Sequence, residues 1–330
     1  MEKSDFILGV DVSKLTLDIH CAELNEHIQI ANGTEGFKVF KKWVKEFGID
    51  LAKSLVVMEY TGGYEYKLMQ FCESLSISYT RIPGFAIKHS LGITRGKNDK
   101  VDAKRIATYA GEKIKTISPD KPLNKRILQL KELLSFRKRL VRINAGLKAS
   151  LKERICMYEV TSEDTIRKIT EDNIRRNKED IEKLDMAMIN LIKDDGPMLT
   201  NYIIITSIKG IGAINALMTI AYTENFTSFS NPRTYAVYVG VIPFDHSSGT
   251  SLKGKKRVSH LANKELKQEL NQAAKTAIKW DKELAQYAAR KMESKPYGIV
   301  LNNVKFKLIL RMFSLVKRGE LYVENYKKAG

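Results

Sequence analysis

Four acids and one serine hold the chemistry that this sequence can offer. In FILGVDVS, alternation puts Phe6, Leu8 and Val10 on one strand face and Ile7, Gly9 and Asp11 on the other. A carboxylate near the end of a buried strand is costly unless something pairs with it. LVVMEYTGG repeats the pattern: Glu59 ends a second apolar strand before Thr61 and two glycines. In GKNDKVDAKRIA, Asp99 and Asp102 are three residues apart, so one helix face presents both. Hard oxygen donors from several elements suit Mg²⁺, and two such ions can polarise a phosphodiester from both sides. The cations Lys97, Lys100, Lys104 and Arg105 flank the helical pair and would attract a nucleic-acid backbone.

The serine stands in FDHSSGTSLKGKKR, residues 244 to 257. Ser248 directly precedes Gly249, which lets a backbone approach closely. Lys253, Lys255, Lys256 and Arg257 follow and can neutralise a phosphate. A serine hydroxyl is a weak nucleophile at neutral pH and needs a base, a metal or stabilisation of developing charge. An ordinary surface turn and a nucleophile beside a phosphate both fit this stretch taken alone.

The elements that must carry these residues are legible in outline. FILGVDVSKLTLDIHCAELNEHIQIAN reads as a meander of three strands. GFKVFKKWVKEF has helical spacing, SLVVMEY is a strand, YEYKLMQFCESL a helix, and SYTRIP a short strand ended by Pro83. That order describes an α/β layer with a mixed sheet. A helix is expected from Asn98 to about Ala110. Beyond Pro119 and Pro122, Leu133, Leu140 and Leu147 recur every seven residues, and Ile174, Ile181 and Met188 share the period. Two such helices suggest an antiparallel hairpin or a dimerising coiled coil, with Thr161, Ser162 and Asp164 as capping residues for the second. Gly210 and Gly212 in KGIGAIN fit either a helix-hairpin-helix turn or close helix packing. From about Asn263 the chain is helical.

Composition narrows the class. The chain has 330 residues, 43% hydrophobic, with 56 Lys and Arg against 38 acids, a net charge of +18. A globular chain this basic usually meets a polyanion. Residues 97–154 hold about 17 basic residues against about six acids, and Arg137, Lys138, Arg139 and Arg142 lie in that stretch. Cys21, Cys72 and Cys156 form no CxxC pair, which argues against a zinc ribbon and suits a reducing cytoplasm. The five histidines are scattered. No stretch approaches the roughly 20 apolar residues of a membrane span, and the first apolar run is too short for a signal peptide.

Two strand-end acids with a helical acid pair form the pattern of a ribonuclease-H-like metal site. GVDVSK, MEYTGGY and GKNDKVDAKRIA together resemble the Asp-Glu-Asp-Asp set of the RuvC-like domain in the insertion sequence 110 family of transposases, relatives of the pilin-gene invertase. YVGVIPFDHSSGTSLKGKKRVSHLANKELKQEL resembles that family's second signature, where a serine precedes a glycine, a basic stretch and a helix. The resemblance covers nearly the whole chain in the right order. One departure stands out: relatives often carry Lys-x-Gly-Asn and a later Arg, where this chain has His260, Leu261, Ala262 and Asn263, then Lys267.

The resemblance implies a RuvC-like α/β domain over 1–117, a coiled-coil hairpin over 118–196 and a mainly α transposase domain over 197–330. It implies Asp11, Glu59, Asp99 and Asp102 as Mg²⁺ ligands and Ser248 as the nucleophile. It also implies strand exchange through a phosphoserine link, with target and donor DNA ends as substrates. The remaining implications are a structured bridge RNA, a dimer or tetramer with composite sites, and a cytoplasmic setting without a membrane.

Overall fold

The structure, a computed structural model, describes residues 5–90, 98–248 and 252–324, with the backbone alone for 244–248 and 252–257. Two compact units divide the chain, Met1–Leu123 and Asn124–Gly330.

In the first unit, β1 (Phe6–Val12), β2 (Thr16–Cys21) and β3 (Glu26–Ala31) form the expected meander. The helix α1 (Thr34–Glu46) leads to β4 (Ser54–Glu59), and α2 (Tyr66–Ser74) leads to β5 (Ser78–Ile82). The sheet order is β3-β2-β1-β4-β5. β1 pairs antiparallel with β2 and parallel with β4, so the sheet is mixed. Its two faces separate as the alternation in β1 requires. Leu8 and Val10 join Phe40, Trp43 and Met69 of α1 and α2 in one core. Ile7 joins Ile87, Ile106 and Ala110 in another. The latter residues come from α3 (Gly84–Ser90) and α4 (Asp99–Lys113).

The second unit is mostly helical. α5 (Lys125–Met157) and α6 (Thr165–Lys193) run antiparallel: Arg154 meets Asp164, Asn144 meets Ile174, and Arg137 meets Asp185. Asp164 is the N-cap of α6 and accepts from the Arg167 N–H. In the heptad pattern Leu140, Ile174 and Met188 are buried, whereas Phe136 and Ile143 are exposed. The hairpin joins a core shared with α7 (Gly196–Thr206), α8 (Ala213–Thr223), α9 (Pro232–Val239), α10 (Lys264–Trp280), α11 (Lys282–Met292) and α12 (Tyr297–Arg318). Gly210 has φ +97, and a Cβ there would lie 2.5 Å from the Ala273 carbonyl oxygen of α10. The KGIG turn therefore packs against a helix at Gly210.

Candidate active site

Each of the four acids owes its place to a neighbour that is small or apolar. Asp11 lies near the C-terminal end of β1 on the face that α4 covers. Gly9, two residues before it, lets α4 come down onto the strand. A Cβ on Gly9 would lie 2.3 Å from the Ala107 nitrogen and 2.4 Å from the Ala103 carbonyl oxygen. Ala103, Ala107 and Ala110 are buried along that helix face. Asp99 and Asp102 occupy the first turn of the same helix, whose N-cap Asn98 accepts from the Lys100 N–H. An acid pair there also suits the positive end of the helix dipole.

Glu59 ends β4, the strand parallel to β1. Its carboxylate rests against Gly84, where a Cβ would lie 1.8 Å from Glu59 Oε1. The loop that follows is fixed by Glu65, a buried side chain that accepts from the Thr61 hydroxyl and the Gly63 N–H. Gly62 and Gly63 both take positive φ in that loop. Burial would raise the Glu65 carboxyl, but the Thr61 and Gly63 bonds outweigh it and hold the group below its ordinary value.

The electrostatics gather the four acids around Asp11. Its pKa is pushed up to about 6, first by burial and then by Asp102, Asp99, Glu59 and Asp18. Asp18 is a fifth carboxylate that the sequence reading did not single out. It stands opposite Asp11 in the β1–β2 register, so both side chains share one face. Asp18 is buried and accepts from His27 Nε2 and Gln29 Nε2, each at 2.9 Å. Its signal in the sequence, TLDIH, is again an acid inside an apolar strand.

Both Asp18 oxygens are already taken by His27 and Gln29, and the carboxylates of Asp11, Glu59, Asp99 and Asp102 are hard oxygen donors of the kind a divalent cation takes. Among the described residues, however, no three acidic, histidine or cysteine side chains already stand close enough to ligate one ion. Asp102 is engaged with Arg105 at 2.8 Å. The donor chemistry fits such an ion, and no ligand set is assembled among the described residues.

Ser248 is the last residue of β6 (Phe244–Ser248), which pairs antiparallel with β7 (Leu252–Arg257). Ser248 faces Leu252 and Ser247 faces Lys253 in that register. The sequence places no strand in this stretch; the structure makes it a hairpin with the serine at the end of one strand. Lys253, Lys255, Lys256 and Arg257 all lie on β7. Ser248 and the acids belong to different units.

The other basic residues fall into two groups. Lys97 lies outside the described residues. Lys100 is exposed near the start of α4, and Lys104 donates to Asn25 Oδ1 at 2.8 Å. Arg137, Lys138, Arg139 and Arg142 line one cavity between α5, α8 and α10. Arg137 is tied to Asp185 at 2.5 Å, Lys138 to Glu265, and the Arg139 guanidinium lies over the Phe136 ring at 5.7 Å.

Residues 8–158, which include all four acids, match the family model of the DEDD transposase of IS110 type. Residues 202–289, which include Ser248, match that of the transposase IS116/IS110/IS902 family. The chain belongs to the IS110 family of transposases. It is accordingly a DNA transposase or recombinase, an enzyme that breaks and rejoins DNA. The transposase is also similar to the pilin gene-inverting proteins of Moraxella lacunata and Moraxella bovis. Each is 24% identical over 270 residues, which is 80% of either chain. No helix among the described residues of the transposase is long and apolar enough to cross a membrane.

Proposed function

We propose that the transposase exchanges DNA strands through a covalent serine–phosphate link at Ser248, with Mg²⁺ held by Asp11, Glu59, Asp99 and Asp102. The observation that carries this reading is the pair of IS110-type family matches, one spanning all four acids and the other Ser248, and the Asp11 carboxyl, pushed up to about 6 by burial and then by its neighbouring carboxylates, supports it. A structural acid is normally paired; this one is surrounded by its own charge. A divalent ion bound there would neutralise that charge and polarise the scissile phosphate.

The serine step balances without an outside energy source. Ser248 Oγ bonds to phosphorus, the bond from phosphorus to the leaving sugar oxygen breaks, and the serine proton ends on that oxygen. The freed hydroxyl of one strand then attacks the phosphoserine of another and returns the proton to Ser248. One phosphoester is conserved at each step, and the chain has no P-loop.

In this reading residues 1–117 form a RuvC-like metal domain, 118–196 the coiled-coil contact between protomers, and 197–330 the domain of the nucleophile. Two DNA sites must be joined, so we propose a dimer or tetramer in which acids and serine form composite sites. The basic excess over 97–154 supports a structured guide RNA held by shape and phosphates. The pilin gene-inverting relatives favour a second reading, site-specific DNA inversion by the same chemistry without a guide.

The test is a covalent protein–DNA adduct. Wild type with Mg²⁺ and its flanking DNA gives an adduct, and Ser248→Ala binds DNA but gives none. Cleaved ends that still form in Ser248→Ala, with no adduct in either protein, would replace the serine with water and make the enzyme a metal-dependent nuclease. Sequencing the RNA that copurifies separates the guided reading from the inversion reading.

A further inference from the structure

The sheet face opposite the acids carries a groove of about 570 Å³, within the roughly 300–1,000 Å³ range of ligand clefts. Its lining includes Gly33, Thr34, Phe37, Lys41, Lys67 and Phe71, and contains no carboxylate. Phe37 and Phe71 stack with ring centroids 4.5 Å apart and planes 14° from parallel. Both rings are half-buried: they pack inward against the core of that sheet face, where Phe71 meets Phe40 edge-on at 6.0 Å, and form the floor of the groove with the part that stays exposed. Lys41 Nζ stands 5.6 Å from the Phe71 centroid, and Lys67 Nζ donates to the Asn32 carbonyl oxygen at 3.3 Å. Both lysines are exposed. A Cβ on Gly33 would meet nothing within 4 Å, so the groove is open at that end.

If these rings served only to tie α1 to α2, polar residues of either sign would suit the rim. Of the three lysines on the rim, Lys38 is paired with Glu35 at 2.7 Å, which leaves Lys41 and Lys67 as cations beside an aromatic floor, a match for a ligand with flat apolar rings and spaced negative charge. We infer that the groove between α1 and α2 binds single-stranded DNA, with a base extending the Phe37–Phe71 stack and phosphates lying against Lys41 and Lys67. A duplex buries its base faces and cannot use the floor. DNA is the polymer on which the enzyme acts, and strand exchange exposes single strands. The inference rests on that activity and does not depend on the identity of the nucleophile.

The test is photocross-linking of the full-length protein to a thymidine oligonucleotide carrying bromodeoxyuridine, with the linked peptides located by mass spectrometry. The expected cross-link falls within residues 33–41 or 67–71 and is absent with duplex DNA. Lys41→Glu with Lys67→Glu lowers its yield about fivefold or more, and Phe71→Leu does the same through lost stacking. The lysine variants keep the result interpretable if Phe71→Leu fails to fold. Ser248→Ala retains the cross-link, so failure of the serine chemistry and failure of the groove are separate outcomes. Cross-links confined to other peptides would overturn the inference, as would a groove cross-link indifferent to the lysine reversals. An RNA oligonucleotide of matching sequence that competes better than the DNA would also overturn it, by assigning the groove to RNA.

Discussion

Asp11 in the first unit and Asp281 in the second are both carboxylates withdrawn from water, with opposite surroundings. Asp281 is fully buried and caps α11 by accepting from the Leu284 N–H at 2.9 Å. It also accepts from Arg311 at 2.6 Å and from the Tyr322 hydroxyl at 2.7 Å. Burial would raise its pKa, but these partners outweigh burial and hold the group below its ordinary value. Asp11 has the reverse balance: burial and four carboxylates push it up to about 6. A carboxylate that stabilises a fold recruits its donors within the chain. Asp11 has no such donors to offset its neighbours, which is the state expected of the metal ligand proposed above.

The sharpest way to break the comparison is to remove each acid in turn. Asp281→Ala leaves Arg311 and Tyr322 without their shared acceptor, and a buried pair broken on one side costs about 3–5 kcal/mol. Urea unfolding should show that loss. An Asp281→Ala protein as stable as wild type would remove the structural half of the contrast. Gly9→Ala forces a methyl into the α4 backbone and costs about 1–3 kcal/mol by overpacking. It also lifts Asp99 and Asp102 from Asp11, so DNA cleavage should fall further than stability. Cleavage that merely tracks unfolding would mean that α4 does not position the site.

Asp11→Asn should do the opposite of Asp281→Ala: DNA cleavage disappears while the metal-free protein gains stability at pH 7. The gain is about 1 kcal/mol once solvent screening of a half-buried group is allowed for. A loss of stability in this variant would make Asp11 a structural residue. The pH dependence carries the same sign. Folded Asp11 keeps its proton to about pH 6, whereas an unfolded aspartate releases it near the ordinary value of 3.8. Stability from this group therefore falls as pH rises from about 4 to 6, and the slope vanishes in Asp11→Asn. Asp281 gives the reverse slope, since its contribution is present above the ordinary aspartate range and is lost as pH falls through its lowered value. The ion acts on the same scale: Mg²⁺ at ten times its dissociation constant should add about 1.4 kcal/mol to wild type and nothing to Asp11→Asn. Equal shifts in both would place the ion elsewhere.

The order of strands and helices in the first unit was legible because apolar alternation and helical spacing are local. Asp11 and Glu59 stood out for the same reason, as acids where the pattern asked for apolar residues. What escaped was fixed by pairing across the sheet or by atoms in contact across elements. Asp18 becomes part of the site only through its register with Asp11. Gly84 matters only because Glu59 folds back on it, and nothing in RIPGFA announces that contact. The Asp281–Arg311–Tyr322 cluster joins residues far apart in the chain. The β6–β7 hairpin left no strand signal because FDHSS and LKGKKR lack an alternating apolar face.

The seat of α4 on Gly9 sets a mechanical tolerance. Most helix–sheet contacts in this unit are made by interlocking side chains, whose rotamers can yield under load. Here two main chains touch, with no layer between them to compress. The gap between the strand that carries Asp11 and the helix that carries Asp99 and Asp102 thus has little room to give. A lineage that needed to hold a larger or smaller guest between those acids would have to lengthen or shorten the acids themselves, because it could not move the walls.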